Sequence, residues 1–225
     1  MNNTFSFNID HNIFNIFSSK SLDELIIEYN LNNYCYLNQI HSNIAVIVDD
    51  NYINNLKADA LITNLKNTKL VIKTADCIPI LLYDKQNKVI SLIHCGWRGV
   101  INDIVLVTVS KMIKKYNTDT KNIYAYIYPS IRKCHFEVSE DTYNKFKNHI
   151  ENIAKYTKQK ELKYYIDLQN IIIDKLKTLG ITNIKDSNIC TYCSNNKYHS
   201  YRYNKTDKRN YLIAFIKKGV YDENN

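Results

Sequence analysis

Two imidazoles and a thiol, at His41, Cys77 and His94, share one kind of position along this chain. Each stands at or just past the end of an apolar, strand-like run: 37–40 before His41, 70–73 before Cys77 and 89–93 before His94. Side chains at strand ends converge on common clefts, and two imidazoles with a thiolate are suitable zinc ligands. Three protein ligands with a fourth position open is the pattern of a catalytic zinc. A water in that position would have its pKa lowered toward neutrality and become a nucleophile. Spacing alone leaves a plainer reading open, in which His41 is a polar loop residue, Cys77 a small buried hydrophobe and His94 a hydrogen-bonded core histidine.

The residues around these three are unusual for the chain. It has only four glycines, where average usage would give roughly 15. Gly96 and Gly99 bracket the single tryptophan, Trp97, beside Arg98. Glycine spent so selectively implies a backbone demand, either an unusual φ/ψ or a close approach. Six cysteines stand at 35, 77, 95, 134, 190 and 193. In a chain of this length without an export signal they read as metal-binding or catalytic rather than as disulfides. Cys190 and Cys193 form a C-x-x-C, but no βαβ unit surrounds it and no second C-x-x-C completes a zinc knuckle. Packing near the site, with Tyr192 facing the pocket, is the expected role.

The elements that must position these residues read as follows. Apolar, β-branched runs predict strands at 44–48, 70–73, 78–83, 89–94, 123–128 and 211–216. Apolar positions at helical spacing predict a helix over 100–116. A second opens at Ser139-Glu140-Asp141, with a serine cap and acids in its first turn. A third runs over 167–179, with Asp167 as N-cap and Gly180 just past its end. Asparagine-rich stretches at 51–55 and 119–122 read as loops. Strands and helices mix without a βα rhythm, so the expected fold is α+β, a sandwich-like arrangement of mixed sheets packed with helices.

At 225 residues the chain is expected to be a single domain over 1–225. No P-loop or G-x-G-x-x-G turn is present, which argues against an ordinary NTPase or NAD enzyme. No apolar run approaches the roughly 18 residues a membrane span needs. The N-terminus lacks a basic segment followed by an apolar core, so a cytoplasmic location is expected. The net charge of +8 invites a nucleic-acid reading, yet the lysines are dispersed and accompany a general excess of Asn, Ile, Lys and Tyr. A solvated basic surface accounts for it.

One ordered set of segments is more specific. It comprises Asn38-Gln39-Ile40-His41-Ser42, Ala58-Asp59-Ala60-Leu61-Ile62-Thr63, Thr74-Ala75-Asp76-Cys77-Ile78-Pro79 and His94-Cys95-Gly96-Trp97-Arg98-Gly99. Pro129-Ser130-Ile131, Cys134, Phe136-Glu137-Val138, Cys190-Thr191-Tyr192-Cys193, Ser200-Tyr201-Arg202 and Arg209 follow. Across residues 11–216 this set resembles the YfiH-type family, also called laccase-domain or multicopper polyphenol oxidase-like, whose members are regarded as purine nucleoside phosphorylases. The resemblance implies a zinc ion on His41, Cys77 and His94, with copper the weaker alternative. It further implies phosphorolysis of adenosine, inosine and methylthioadenosine, with adenosine deamination at the same site. The partners would be a purine nucleoside and phosphate, with no nucleic acid or membrane, and the chain a monomer or homodimer.

On that reading Arg98 and Arg202 are candidates to clamp phosphate, because guanidinium meets it bidentately. Arg98 and Asp76 are the catalytic candidates. Asp76 would orient a ligand imidazole or carry a proton, unless it simply caps a strand end. Gln39 and Cys134 are candidate substrate contacts, though a structural amide serves equally for Gln39. Relatives commonly have a second cysteine where this chain has His135. They also carry a Gly-rich, arginine-bearing loop near the N-terminus, whereas residues 16–25 here have neither glycine nor arginine. Tyr128 and Arg132 stand where glycines are usual. A thiol hydrolase or transferase with Cys77 as nucleophile and His94 as base is the main alternative. A copper-dependent polyphenol oxidase and a basic RNA-binding module are the others.

Overall fold

The strands Ile78–Asp84 and Val89–Cys95 form the antiparallel hairpin around which the molecule is built, and every residue of both is buried. Burial on both faces explains why they read as near-continuous apolar runs rather than alternating ones. The computed structural model describes residues 3–218. The expected domain of 1–225 therefore includes residues 1–2 and 219–225, which lie outside the described residues.

The hairpin is the centre of a six-stranded mixed sheet in the order Asn183–Asp186, Ile123–Ile127, Ile78–Asp84, Val89–Cys95, Ala60–Thr63, Ala45–Ile47. Its two outermost pairs are parallel and the rest antiparallel. A second sheet has five strands in the order Thr4–Phe5, Ile13–Ser18, Asn210–Ile216, Lys69–Thr74, Tyr34–Cys35. Phe17, Leu70, Ile72 and Leu212 of this sheet pack on Leu81, Tyr83, Ile90 and Leu92 of the first. The alternate residues Ile80, Leu82, Val89 and Ile93 pack instead with Val105, Val109, Ile171 and Ile172 of the helices Ile104–Tyr116 and Leu168–Thr178. The helix Leu22–Tyr29 contributes Leu25 to a cluster with Ile16, Val71 and Ile213 on the far side of the five-stranded sheet. Helix, sheet, sheet and helix thus stack in the expected α+β sandwich.

The predicted strands are all present within one or two residues. The predicted helix over 100–116 is not continuous. It breaks into Trp97–Ile101 and Ile104–Tyr116 around Asp103, whose φ is +60°. Lys175 Nζ stabilises the break by donating to the Val100 carbonyl at 2.7 Å and to the Asp103 carboxylate. Residues 16–25, devoid of glycine and arginine, form a strand end and a helix start where Ser21 and Glu24 make a reciprocal capping box. Arg132 is held bidentately by Asp186 at 2.8 Å, and Tyr128 is buried between the sheets with its hydroxyl donating to Asn15 at 2.8 Å. No described helix is long and apolar enough to cross a membrane.

Candidate metal centre

The site is organised by a carboxylate that sequence reading left without a role. Asp59 is fully buried just before the Ala60–Thr63 strand. Its carboxylate accepts from the backbone amides of Ile40 (3.3 Å), His41 (3.0 Å) and Ser42 (2.6 Å), and from the Ser42 hydroxyl (2.7 Å). That set wraps the 40–42 loop around one anion and holds His41 at φ +58°. The same carboxylate lies 2.8 Å from His94 Nδ1, near the end of the Val89–Cys95 strand. With Nδ1–H donating to Asp59, His94 presents Nε2, which can take a metal once it carries no proton, the arrangement that orients a metal-binding histidine. Asp59 therefore fixes the His41 backbone and the His94 ring.

Cys77 closes the set. Its Sγ is 3.8 Å from His41 Nε2, and the His41 and His94 rings lie 4.8 Å apart, edge to face. One ligand atom from each of the three residues lies within 4.8 Å of the others. Zinc at ~2.3 Å from sulfur and ~2.0 Å from nitrogen separates such ligands by about 3.5 Å. The donor set suits such an ion, and the 3.8 Å between Cys77 Sγ and His41 Nε2 is close to that spacing. Gly96 makes the approach possible: a Cβ there would stand 2.9 Å from His41 Cδ2 and 3.1 Å from Cys77 Sγ. The scarce glycine thus answers a need for close approach.

Electrostatics at the site favour an anionic sulfur. Burial pushes the Cys77 thiol up, but the charge of His94 and hydrogen bonds from His41 and His94 outweigh it and bring it down to about 6. Burial pushes His94 down, while the Cys77 thiolate and Asp59 hold it above its ordinary value. Burial likewise raises the Asp59 carboxyl, and hydrogen bonds from His94 and Ser42 more than offset it, leaving the group below the usual range.

The other sequence candidates fall in different places. Asp76, at φ +86°, accepts from the Thr191 hydroxyl and the Arg202 amide, each at 2.7 Å, so its carboxylate anchors a neighbouring segment while Asp59 orients the imidazole. Arg98 is exposed, with its guanidinium 4.5 Å above the Trp97 ring, and does not line the cleft over the three ligands. Arg202 Nη1 donates to the carbonyls of His135 (3.1 Å) and Glu137 (2.9 Å), which makes it a brace rather than a clamp. Gln39 does line the cleft, but both ends of its amide pair with the Lys73 backbone, at 2.7 and 2.9 Å. The cleft is about 500 Å³, with Trp97 and Tyr201 on its walls and Lys73 and Arg209 as its cations; one guanidinium nitrogen of Arg209, Nη1, donates to the carbonyls of Thr206 (3.0 Å) and Lys208 (2.9 Å). Lys73 escaped notice because it lies inside a strand, and Arg209 because it was read only as part of a motif.

Cys134 is not at this cleft. It gathers with His135, Cys190 and Cys193 in a second cluster whose ligand atoms all lie within 4.8 Å of one another. The C-x-x-C thus meets residues of a loop some 56 residues away, and Tyr192, expected to face the pocket, stacks on His135 instead of lining the cleft.

The chain matches the family described as multi-copper polyphenol oxidoreductase laccase over residues 19–216. It is 35% identical over 192 residues to a purine nucleoside phosphorylase of Clostridium acetobutylicum, covering 84% of this chain and 79% of that protein. A purine nucleoside phosphorylase of Rickettsia prowazekii is 37% identical over 168 residues, covering 74% and 69%. Among solved structures, protein YfiH of Bacillus licheniformis superposes with a TM-score of 0.80 at 26% identity, covering 86% and 79%. A Neisseria meningitidis protein shares the fold with a TM-score of 0.85 at 20% identity, covering 96% and 98%.

Proposed function

The chain belongs to the multi-copper polyphenol oxidoreductase laccase family, and we propose that within it this protein is a zinc-dependent purine nucleoside phosphorylase. The observation that carries the reading is the His41–Cys77–His94 set at the cleft, with His94 held by Asp59. Relatives named purine nucleoside phosphorylase support the substrate class. Adenosine, inosine and methylthioadenosine are the proposed substrates, with adenosine deamination as a secondary activity.

His41, Cys77 and His94 would hold the zinc, which when bound supplies Lewis-acid activation of an oxygen. Lys73 and Arg209 would bind phosphate at the cleft wall, and Trp97 and Tyr201 would enclose the purine. In phosphorolysis a phosphate oxygen bonds to C1′ as the C1′–N9 bond breaks, and the departing purine takes up the proton that hydrogen phosphate gives up. Copper oxidase centres are rich in imidazole, whereas the two Cys/His clusters among the described residues contain two imidazoles and one. That donor set favours zinc.

The test is a product assay on metal-quantified protein with adenosine or inosine, with and without phosphate. Free base and ribose 1-phosphate appearing only with phosphate, and lost in Cys77→Ala, are expected. Inosine from adenosine without phosphate would make deamination the main reaction. The lowered Cys77 thiol favours one second reading, a hydrolase or transferase with Cys77 as nucleophile. Under it, the chelated protein would stay active and alkylation would abolish that activity. Under the zinc reading, chelation itself abolishes activity.

A further inference from the structure

We propose that Cys134, His135, Cys190 and Cys193 form a second metal site, a closed structural zinc centre separate from His41–Cys77–His94. Cys134 Sγ lies 3.6 Å from Cys190 Sγ and 3.8 Å from Cys193 Sγ, and Cys193 Sγ lies 3.2 Å from His135 Nδ1. Four ligands on zinc at ~2.3 Å for sulfur and ~2.0 Å for nitrogen stand about 3.8 Å apart between sulfurs and about 3.5 Å between sulfur and nitrogen. These separations lie close to three of the six edges of such a tetrahedron, and the other three ligand pairs lie within 4.8 Å. A disulfide would use two of the three sulfurs, contract that pair to about 2.0 Å and leave the third thiol and the imidazole unused.

The surroundings are built to hold the set. Ser130 and Cys190 form a parallel bridge, and Thr191 N donates to the Ser130 carbonyl at 3.1 Å, which aligns the two ligand-bearing loops. The His135 ring is stacked on Tyr192, with centroids 3.8 Å apart and planes at 13°, and Arg202 fixes its carbonyl. Three thiolates and one imidazole make a soft set that selects zinc over magnesium or calcium. With four protein ligands no position is left for a substrate, so the centre is structural.

Its work is to clasp the 190–203 segment to the 130–137 loop. Within that segment Thr191 and Arg202 both donate to Asp76, the residue before Cys77, and Tyr201 lines the cleft. Closing the clasp therefore steadies the turn that carries Cys77.

Elemental analysis of chain purified without chelator decides the matter, using Cys193→Ser, Cys190→Ser and Cys77→Ala. Wild type should hold two zinc ions, Cys193→Ser and Cys190→Ser one each, and Cys77→Ala one. Cobalt-substituted Cys77→Ala should show intense sulfur-to-cobalt charge transfer, and its Cys193→Ser derivative should lose it. A wild type with one zinc, removed by Cys77→Ala and untouched by Cys193→Ser, overturns the proposal and leaves the first site standing. If the serine variants do not fold, alkylation mapping of the unmutated chain gives the answer. Cys134, Cys190 and Cys193 should resist alkylation when zinc-loaded and react after chelation. Equal reactivity in both forms, or a disulfide among them in the zinc-loaded chain, overturns it.

Discussion

Asp59 carries more of the candidate metal centre than any ligand does. One buried carboxylate gathers the amides of residues 40–42 and holds His94 Nδ1, so the backbone of His41 and the ring of His94 are placed by a single anion. Asp59→Asn keeps the shape but removes the charge and half the acceptor capacity. Zinc affinity should fall roughly 10- to 100-fold, as for other partners of metal-binding histidines, measured by chelator competition. The cations divide by position in the same way. Arg209→Ala should raise KM for phosphate about tenfold, in line with the roughly 1.5–3 kcal/mol of a hydrogen bond to a charged group. Arg98→Ala should leave it within about twofold, since that guanidinium rests on Trp97 outside the cleft. Phosphate saturation curves for the two variants separate the roles.

Among the elements, the break at Asp103 shows how helical spacing misleads when a half-buried lysine from another helix intervenes. Residues 100–116 keep a helical apolar pattern, but Lys175 satisfies the Val100 carbonyl from outside and lets the chain turn at φ +60°. Lys175→Met should cost about 1–3 kcal/mol through a buried carbonyl left without its donor, read as a lower urea midpoint with unchanged slope. Helix ends follow a local rule that the sequence does display. Asn30 and Asn117 end their helices at φ 49° and 54°, doing what glycine usually does. Asparagine tolerates the left-handed region through local hydrogen bonds. Nine of the fifteen non-glycine residues with positive φ among the described residues are asparagines, which is how a chain with four glycines makes its turns.

For the whole molecule, stability rests on the apolar layer between the two sheets, where Leu81 meets residues of both. Leu81→Ala should destabilise by about 2–5 kcal/mol through lost burial and a residual cavity, checked by denaturant unfolding. What the amino-acid sequence determined by itself was whatever depends on neighbours along the chain. The hairpin strands, the Ser139 and Asp167 caps, the αL glycine at 180 and the strand-end positions of the candidate ligands His41, Cys77 and His94 are all legible locally. The ordered motifs added the family because they preserve residues whose reasons for being there lie elsewhere. Only the tertiary structure decided which carboxylate serves His94, since Asp59 and Asp76 are equally plausible on the page and differ only in what they face. It also decided which cations reach the cleft, and that Cys134 and His135 meet Cys190 and Cys193. Ligand atoms meet across loops by sheet register and packing, and no spacing within one segment encodes a distance to another.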